Sequence, residues 1–85
     1  IKKMKSYVYI IASNKPSLKT YVGWTSNIIE RLKKHNSNKG AKATKGRKWS
    51  LVYKETFLNK IDAMKREYII KNNKTFRDKI RRRIK

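Results

Sequence analysis

The feature that most limits how this chain can fold is a pair of strand-like runs near its start. Residues 7–12 read YVYIIA and residues 20–24 read TYVGW, and both runs consist mainly of β-branched and aromatic residues. The segment SNKPSLK between them, residues 13–19, has the composition of a turn. Together the three segments predict an antiparallel β-hairpin.

A helix is predicted directly after the hairpin. Thr25 or Ser26 can cap its amino end. At 100° per residue, Arg31 and His35 lie one turn apart, at the edge between the apolar side of the helix and solvent. The residues on the apolar side are Ile28, Ile29, Leu32 and Asn36.

The middle of the chain predicts a loop and a third strand. Residues 36–48 contain two glycines and many basic residues but no acid, which is typical of a mobile basic loop. The following run WSLVYKE alternates in the manner of a strand and is expected to place Trp49, Leu51 and Tyr53 on one more deeply buried face.

Two further helices complete the prediction. The first begins at Asn59 or Lys60 and ends near Lys71, and the second runs from about Thr75 into the tail RDKIRRRIK. On the first helix, Ile61, Met64 and Tyr68 share one face, with Ala63 and Ile70 beside it. Length and element order predict an α/β (α+β) fold, in which helices flank a three-stranded antiparallel sheet. We expect one domain over residues 1–85, with a core over about 6–72 and a basic helical tail over 73–85.

Charge indicates the class of partner. Lys and Arg number 25 against 5 acidic residues, which gives a net charge of +20. Nucleic acid is the expected partner, because each neutralised phosphate releases counterions. A membrane surface is the weaker alternative, since the basic residues do not flank one amphipathic helix. The residues expected to contact phosphates are Lys39, Lys42, Lys45, Arg47, Lys48, Arg81, Arg82 and Arg83.

The chain has no cysteine, which excludes disulfides, thiolate zinc sites and cysteine nucleophiles and suits a reducing cytoplasm. The apolar run over residues 7–12 is too short for a signal peptide or a membrane span. A core this small leads us to expect added stability from DNA, a protein partner or a homodimer.

Glu67 is the most informative acid. It lies one helical turn from both Ala63 and Ile70, so its carboxylate leaves the helix between apolar rows and requires a cationic partner. A divalent ion such as Mg²⁺, held by one carboxylate and substrate phosphate, is one interpretation, and a salt bridge to Lys or Arg is the other. Taken singly, the tyrosines are equally compatible with core aromatics, and His35 with a polar residue at the helix edge.

The combined order of these residues is more specific. Tyr9 is followed by Tyr21-Val22-Gly23, then by Arg31 and His35, and by a helical Glu67 downstream. This order resembles the GIY-YIG nuclease superfamily, in particular its small stand-alone bacterial branch, which is related to structure-specific repair endonucleases. The resemblance covers residues 6–72. Tyr7 occupies the position at which the first of the family's two tyrosine-containing motifs usually has glycine. Many members also carry an asparagine about twelve residues after the glutamate that binds the metal, and this chain lacks it.

The resemblance implies a role for each matching residue. Tyr9 and Tyr21 would position or deprotonate the attacking water, and Gly23 would let the backbone pass close to the scissile phosphate. Arg31 would hold that phosphate, and His35 would lie near the reacting group. Glu67 would bind one divalent metal, Mg²⁺ or Mn²⁺.

The resemblance therefore implies a metal-dependent DNA endonuclease. We expect selectivity for branched or flapped DNA over a base code, because backbone contacts carry little sequence information. Repair or recombination of nucleoid DNA in the cytoplasm is the expected setting. The alternative is a non-catalytic DNA- or RNA-binding module whose sheet offers Tyr and Trp for base stacking.

Overall fold

The predicted hairpin forms the centre of the protein. A computed structural model describes residues 5–84, and residues 1–4 and 85 of the predicted domain lie outside the described residues. β1 (Ser6–Ser13) pairs with β2 (Lys19–Thr25) on one side and with β3 (Ser50–Phe57) on the other. Both pairings are antiparallel and the strand order is β2-β1-β3. The predicted fold class is confirmed.

Three helices cover this sheet. α1 (Ile28–Asn36) follows β2, and a single 3₁₀ turn, Lys42–Thr44, interrupts the segment between α1 and β3. α2 (Lys60–Lys71) and α3 (Lys74–Ile84) follow β3. The amino end of α2 is capped by Asn59, whose side chain accepts a hydrogen bond from the amide of Asp62.

The two faces of β1 carry different clusters. Val8 and Ile10 point to the face covered by α2 and α3, where they pack with Ala63, Ile70 and Ile80. The opposite face is covered by α1, and its cluster consists of Tyr9, Ile11 and Trp49, with Tyr21, Ile28 and Leu32 packed against them. Burial of each large aliphatic side chain stabilises the fold by about 1.5–3 kcal/mol.

The amino end of α1 differs from the prediction. Its cap is Asn27, whose side chain accepts from the amide of Glu30, and not Thr25 or Ser26. The Thr25 hydroxyl instead accepts from the Asn27 amide and so shapes the turn that precedes the helix. Ile29 was predicted on the apolar side but is 72% exposed, because it is rotated 100° from Ile28, which contacts the sheet.

A β-bulge in β3 overturns the predicted alternation of that strand. The register places Ile10 opposite Tyr53 but Ile11 opposite Leu51, so one residue of β3 is extra. Tyr53 consequently packs on the face covered by α2 and α3, whereas Trp49 is buried on the α1 face and Leu51 is partly exposed.

The helix α2 also turns its apolar residues in an unexpected direction. Ala63 and Ile70, two turns apart, are buried, while Ile61, Met64 and Tyr68 are exposed. The small side chain of Ala63 fits a close approach of the helix to the sheet.

An ion pair helps to hold α2 in place. Arg66 Nε lies 2.9 Å from Oε1 of Glu55 on β3, and its second bond to that carboxylate measures 3.1 Å. The Tyr53 hydroxyl donates to the same carboxylate, and the Arg66 guanidinium lies over the ring of Phe76 on α3. This polar cluster joins β3, α2 and α3.

The carboxyl-terminal helix belongs to the core. Ile80 of α3 is buried among Val8, Ile10 and Ile70, so the core extends past the predicted boundary at residue 72. Among residues 5–84, none of the helices combines the length and the apolar composition needed to cross a membrane.

Candidate active site

The centre of the candidate site is a hydrogen bond between β1 and α1. Tyr9 lies at the middle of the central strand and points to the α1 face, and His35 lies in the last turn of α1. The Tyr9 hydroxyl oxygen is 2.8 Å from Nε2 of His35, and the His35 side chain is fully buried. His35 is therefore an interior residue and not the exposed helix-edge residue that a lone histidine more often is.

The other ring nitrogen of His35 is held by the segment that follows α1. Nδ1 lies 2.8 Å from Oγ1 of Thr44, which is itself fully buried. Thr44 Oγ1 is also 2.8 Å from the carbonyl oxygen of Ala41, and the Thr44 carbonyl accepts from Nε1 of Trp49 at 2.8 Å. The predicted mobile loop is thus folded over His35, because Thr44 and Trp49 anchor it to the interior.

Two glycines make room for the Tyr9–His35 pair. Gly23 lies opposite Tyr9 in the β1–β2 register, and a Cβ atom there would be 2.5 Å from the Tyr9 hydroxyl oxygen. A Cβ atom on Gly40 would be 2.6 Å from Nδ1 of His35 and 3.1 Å from its Cα. Neither position can carry a side chain without moving one member of the pair.

Arg31 brings a positive charge to the same hydroxyl. Its Nε donates to the Tyr9 oxygen across 3.4 Å. The hydrogen bond with Tyr9 raises the pKa of Arg31, and the Tyr21 phenol adds a smaller effect in the same direction. Arg31 also lines an open groove at the protein surface with Trp24, Thr25, Ser26, Asn27, Glu30 and Lys34. The guanidinium thus lies between the buried pair and solvent.

Tyr21 and Glu67 complete the cluster from β2 and α2. The ring centroid of Tyr21 is 5.2 Å from that of His35, and Lys71 Nζ lies 5.9 Å from the Tyr21 centroid. Lys71 Nζ is 3.5 Å from Oε2 of Glu67, whose side chain is only 19% exposed. The negative charge of Glu67 reaches Tyr9, where it acts to raise the pKa. The salt bridge considered as the alternative for Glu67 is therefore present.

Burial sets the protonation of the central pair. It raises the pKa of Tyr9, and the hydrogen bond from Arg31 opposes this only in part. Burial, followed by the charge of Arg31, lowers the pKa of His35. At neutral pH Tyr9 therefore keeps its proton, while His35 is uncharged and has one nitrogen free to accept a proton.

The donor set limits what kind of metal the site can hold. Within residues 5–84, no three His, Cys, Asp or Glu side chains come together as a metal-binding group. Glu67 offers a single, largely buried carboxylate whose charge acts on the Tyr9 phenol. One carboxylate completed by waters and substrate phosphate oxygens is a common arrangement for Mg²⁺, so the residues present fit a hard divalent ion that binds with substrate.

The predicted phosphate-binding residues fall into two groups. Arg47 and Arg81 donate to carbonyls of the β1–β2 loop: Arg47 to Ser17 at 2.6 Å, and Arg81 to Leu18 at 3.5 Å, whereas Arg82 donates to the Asp78 carbonyl of its own helix at 3.4 Å. Arg47 and Arg81 therefore hold the β1–β2 loop. The others project from exposed positions on the α1–β3 segment or on α3, and these are Lys39, Lys42, Lys45, Lys48, Arg82 and Arg83.

Sequence reasoning missed the residues that support His35. Thr44 and Gly40 lie in a stretch whose basic, glycine-containing composition is typical of a mobile loop. Asn36 was assigned to an apolar side, but its side chain bonds both the amide and the carbonyl of Trp49, at 2.6 and 3.1 Å. The one available signal was a hydroxyl residue between two glycines, which is weak because hydroxyls are common in loops.

Comparison with protein families agrees with this geometry. The model of the GIY-YIG catalytic domain matches residues 5–81. That range includes the Tyr9–His35 pair, Arg31, Glu67 and the segment that holds Thr44.

Relatives of similar size share much of the sequence. The UPF0213 protein CPE1444 of Clostridium perfringens is 51% identical over 67 residues, which cover 78% of this chain and 70% of the relative. The UPF0213 protein SH2523 of Staphylococcus haemolyticus is 50% identical over 68 residues, 79% of this chain and 80% of the relative. The solution NMR structure of the UPF0213 protein BH0048 from Bacillus halodurans matches with a TM-score of 0.52 at 37% identity, covering 96% of this chain and 86% of that one.

Proposed function

This chain belongs to the GIY-YIG catalytic-domain family, and from that premise we propose that it is a metal-dependent endonuclease that hydrolyses phosphodiester bonds in DNA. The observation that carries the proposal is the buried contact of 2.8 Å between the Tyr9 hydroxyl and His35 Nε2, with Arg31 beside the same oxygen. The phenol oxygen of Tyr9 thus contacts both a neutral imidazole and a guanidinium. An imidazole can accept a proton and a guanidinium can stabilise negative charge, and both functions serve the activation of water next to a phosphate.

The proton transfers of the proposed reaction follow from the protonation of the pair. Tyr9 is a protonated phenol and cannot deprotonate water unless its own proton leaves. We assign that proton to His35 Nε2: as the Tyr9 oxygen takes a proton from the attacking water, the phenolic proton passes to the imidazole. The water oxygen forms its bond to phosphorus, and the bond from phosphorus to the leaving oxygen breaks as that oxygen takes a proton from solvent. The imidazolium later releases its own proton to solvent.

Arg31 is assigned to the phosphate. Its guanidinium contacts the Tyr9 oxygen on one side and lines the surface groove on the other, so a phosphate in that groove meets a fixed positive charge. A planar guanidinium donates to two phosphate oxygens at once, which suits the charge that develops as the phosphorus centre gains a fifth oxygen.

Glu67 is assigned to the divalent metal, Mg²⁺ or Mn²⁺. When bound, such an ion supplies Lewis acidity toward the phosphate and the leaving oxygen. The role of this chain is to present a largely buried carboxylate whose charge acts on Tyr9, and Lys71 holds that carboxylate in the free protein. Metal binding would require Lys71 to release Oε2, and the Lys71 side chain is about half exposed, so its ammonium can turn to solvent.

We assign DNA as the substrate and expect selectivity for its shape. The exposed lysines Lys39, Lys42, Lys45 and Lys48 surround the segment packed on His35, and lysines bind phosphates without reading bases. Branched or flapped DNA presents backbone from more than one duplex, which a site lined by dispersed cations can contact together. Repair or recombination of nucleoid DNA in the cytoplasm is the setting that we propose.

A nicking assay tests the proposal. Purified protein is incubated with supercoiled plasmid and with branched oligonucleotides in Mg²⁺, in Mn²⁺ or in chelator, beside the variant Glu67→Gln. We expect cleavage only with metal and none by the variant, while its binding to DNA is unchanged or slightly tighter because a negative charge is gone. Asp78→Asn is the matched control, because Asp78 is also paired with a lysine four residues away but lies on α3, outside the groove that Arg31 lines.

Two outcomes would contradict the assignment. Cleavage that persists in chelator or in Glu67→Gln would remove the metal site. Binding without cleavage of any substrate by the unmodified protein would favour the non-catalytic nucleic-acid-binding module, since binding alone needs neither Glu67 nor metal.

A further inference from the structure

The residue that the proposed chemistry leaves unexplained is Thr44. It is fully buried, it lies in a strongly basic surface segment, and its hydroxyl contacts no substrate-facing group. A hydroxyl at this depth requires partners, and both of its partners are within 2.8 Å: the Ala41 carbonyl oxygen and Nδ1 of His35.

The direction of these bonds follows from counting protons. A carbonyl oxygen only accepts, so the single hydroxyl proton of Thr44 is donated to Ala41. The Thr44 oxygen is then left with lone pairs alone for His35, and a bond of 2.8 Å to Nδ1 requires the proton to be on Nδ1. Because neutral imidazole carries only one ring proton, Nε2 has none and accepts from the Tyr9 hydroxyl.

We propose that Thr44 is a positioning residue that fixes His35 in the Nδ1–H tautomer and thereby makes Nε2 the proton acceptor for Tyr9. Its effect on the reaction rests on the proposed nuclease function, whereas the tautomer itself does not. With the opposite tautomer, Nε2–H would donate to the Tyr9 oxygen, and the phenolic proton would have no acceptor on His35.

The surrounding segment is built to hold Thr44 at this point. Trp49 Nε1 donates to the Thr44 carbonyl, and the Thr44 amide donates to Ala41 at 3.0 Å. Gly40 gives the chain passage beside the imidazole, where a Cβ atom would come within 2.6 Å of Nδ1. The backbone on both sides of Thr44 is therefore fixed independently of its hydroxyl, which lets the hydroxyl be altered without loss of the turn.

The chain contains a single histidine, so the tautomer can be read directly. In ¹⁵N-labelled protein above the pKa of the ring, long-range proton–nitrogen NMR spectra distinguish a protonated nitrogen from an unprotonated one. We expect Nδ1 to be protonated and Nε2 unprotonated in the unmodified protein and in Thr44→Ser, which keeps the hydroxyl. In Thr44→Val, which has the same shape without the acceptor, we expect the proton to leave Nδ1.

Cleavage is measured on the same three proteins. Thr44→Val is expected to reduce kcat by about 10²-fold, which is at the lower end of what general-base catalysis contributes, with the Kd for DNA unchanged. Thr44→Ser is expected to restore most of that rate. Thr56→Val is the matched control, because Thr56 is an exposed strand residue on β3 and the same substitution there leaves His35 untouched.

Three outcomes of these experiments distinguish the tautomer proposal from the proposed nuclease function. A protonated Nε2 in the unmodified protein would overturn the proposal, and it would do so even if Thr44→Val failed to fold. An unchanged tautomer and rate in a folded Thr44→Val would overturn it as well. If the tautomer responds as expected but the unmodified protein cleaves nothing, the tautomer assignment stands and the nuclease function fails.

Discussion

Gly23 lies directly across the β1–β2 ladder from Tyr9, and a methyl group on Gly23 would come within 2.5 Å of the Tyr9 hydroxyl oxygen and 2.7 Å of the ring carbon that bears it. Because Gly23 has no side chain, the phenol of Tyr9 can reach His35. The resemblance alone assigned Gly23 to close passage of the phosphate, and its contact with Tyr9 is a separate constraint on the same residue.

Gly23→Ala is expected to abolish most cleavage by displacing the Tyr9 ring from His35. The loss should appear in kcat, with DNA binding retained, in a nicking assay on the folded variant. Gly46→Ala is the control. Among residues 5–84 nothing lies within 4 Å of a Cβ there, but Gly46 has φ +81°, so alanine strains the backbone by about 1 kcal/mol without touching the site. Equal activity losses in the two variants would attribute the effect to lost stability and not to Tyr9.

Arg31→Ala is expected to reduce kcat by about 10²–10³-fold, the usual result of removing one group that stabilises a developing negative charge. Arg31→Lys should recover little, because an ammonium cannot donate from two fixed directions at once. Lys34→Ala provides the comparison, since Lys34 lines the same groove on α1 and pairs with exposed Glu30. Single-turnover cleavage at saturating DNA measures the difference between the variants. Normal turnover by Arg31→Ala would show that Arg31 does not stabilise the charge that develops on the phosphate.

The stability of the protein is expected to fall as pH decreases below about 6.5, the ordinary pKa of an unfolded histidine. Because burial lowers the pKa of His35 in the fold, the unfolded chain takes up a proton that the folded chain resists. His35 thus contributes fully above pH 6.5, and that stability is lost as pH falls through the lower folded pKa, with a slope of at most about 1.4 kcal/mol per pH unit.

Urea unfolding at several pH values measures this slope. The groups that face His35 are Tyr9 from β1, Tyr21 from β2 and Arg31 from its own helix, and none of these side-chain types normally titrates between pH 5 and 7. His35→Asn should be less stable at pH 8 but nearly flat over this range. A wild-type slope that persists in the variant would assign it to another group.

The lysines of the segment after α1 are expected to contact phosphates of the DNA backbone. Replacing Lys42, Lys45 and Lys48 by alanine should flatten the slope of log K against log salt by roughly two to three units, because each phosphate contact on duplex DNA contributes about −0.9. Turnover at saturating DNA should change far less. Fluorescence titrations over a salt series measure the slope.

A second triple variant of the same net charge separates contact from overall attraction. Lys60, Lys65 and Lys79 are exposed on α2 and α3, away from this segment. An equal change of slope in both variants would show general attraction only. A loss confined to one DNA sequence would show that the loop reads bases.

Local sequence patterns predicted the strands and helices well, because the residues within each of these elements favour its conformation. The β-branched runs predicted β1 and β2, and the spacing after Asn59 predicted α2. The bulge in β3 could not be predicted, since it arises where the register between β1 and β3 shifts after Ile10. The exposure of Met64 was likewise hidden, because which side of α2 meets the sheet depends on packing beyond the helix.

The sequence predicted only those site residues that belong to the motif resembling the family. Tyr9, Arg31 and His35 could be named because their spacing resembles a known motif, and the fold brings them into contact. Thr44 could not, since its importance depends on a hydrogen bond to a residue nine positions earlier that only the folded loop creates. The same holds for Arg47, whose partner is a carbonyl thirty residues away.

With His35 in the proposed Nδ1–H tautomer, the hydrogen bonds from Ala41 through Thr44, His35 and Tyr9 to Arg31 have a polarity. Every hydroxyl and the imidazole then donates once toward Ala41 and accepts once from the Arg31 side. A chain of this kind cannot reverse one link alone, since a reversed link would leave two donors or two acceptors facing each other. Its protons are therefore arranged as one cooperative unit. Each bond polarises the next, so the bonds between the Ala41 carbonyl in the surface loop and the guanidinium at the groove strengthen one another.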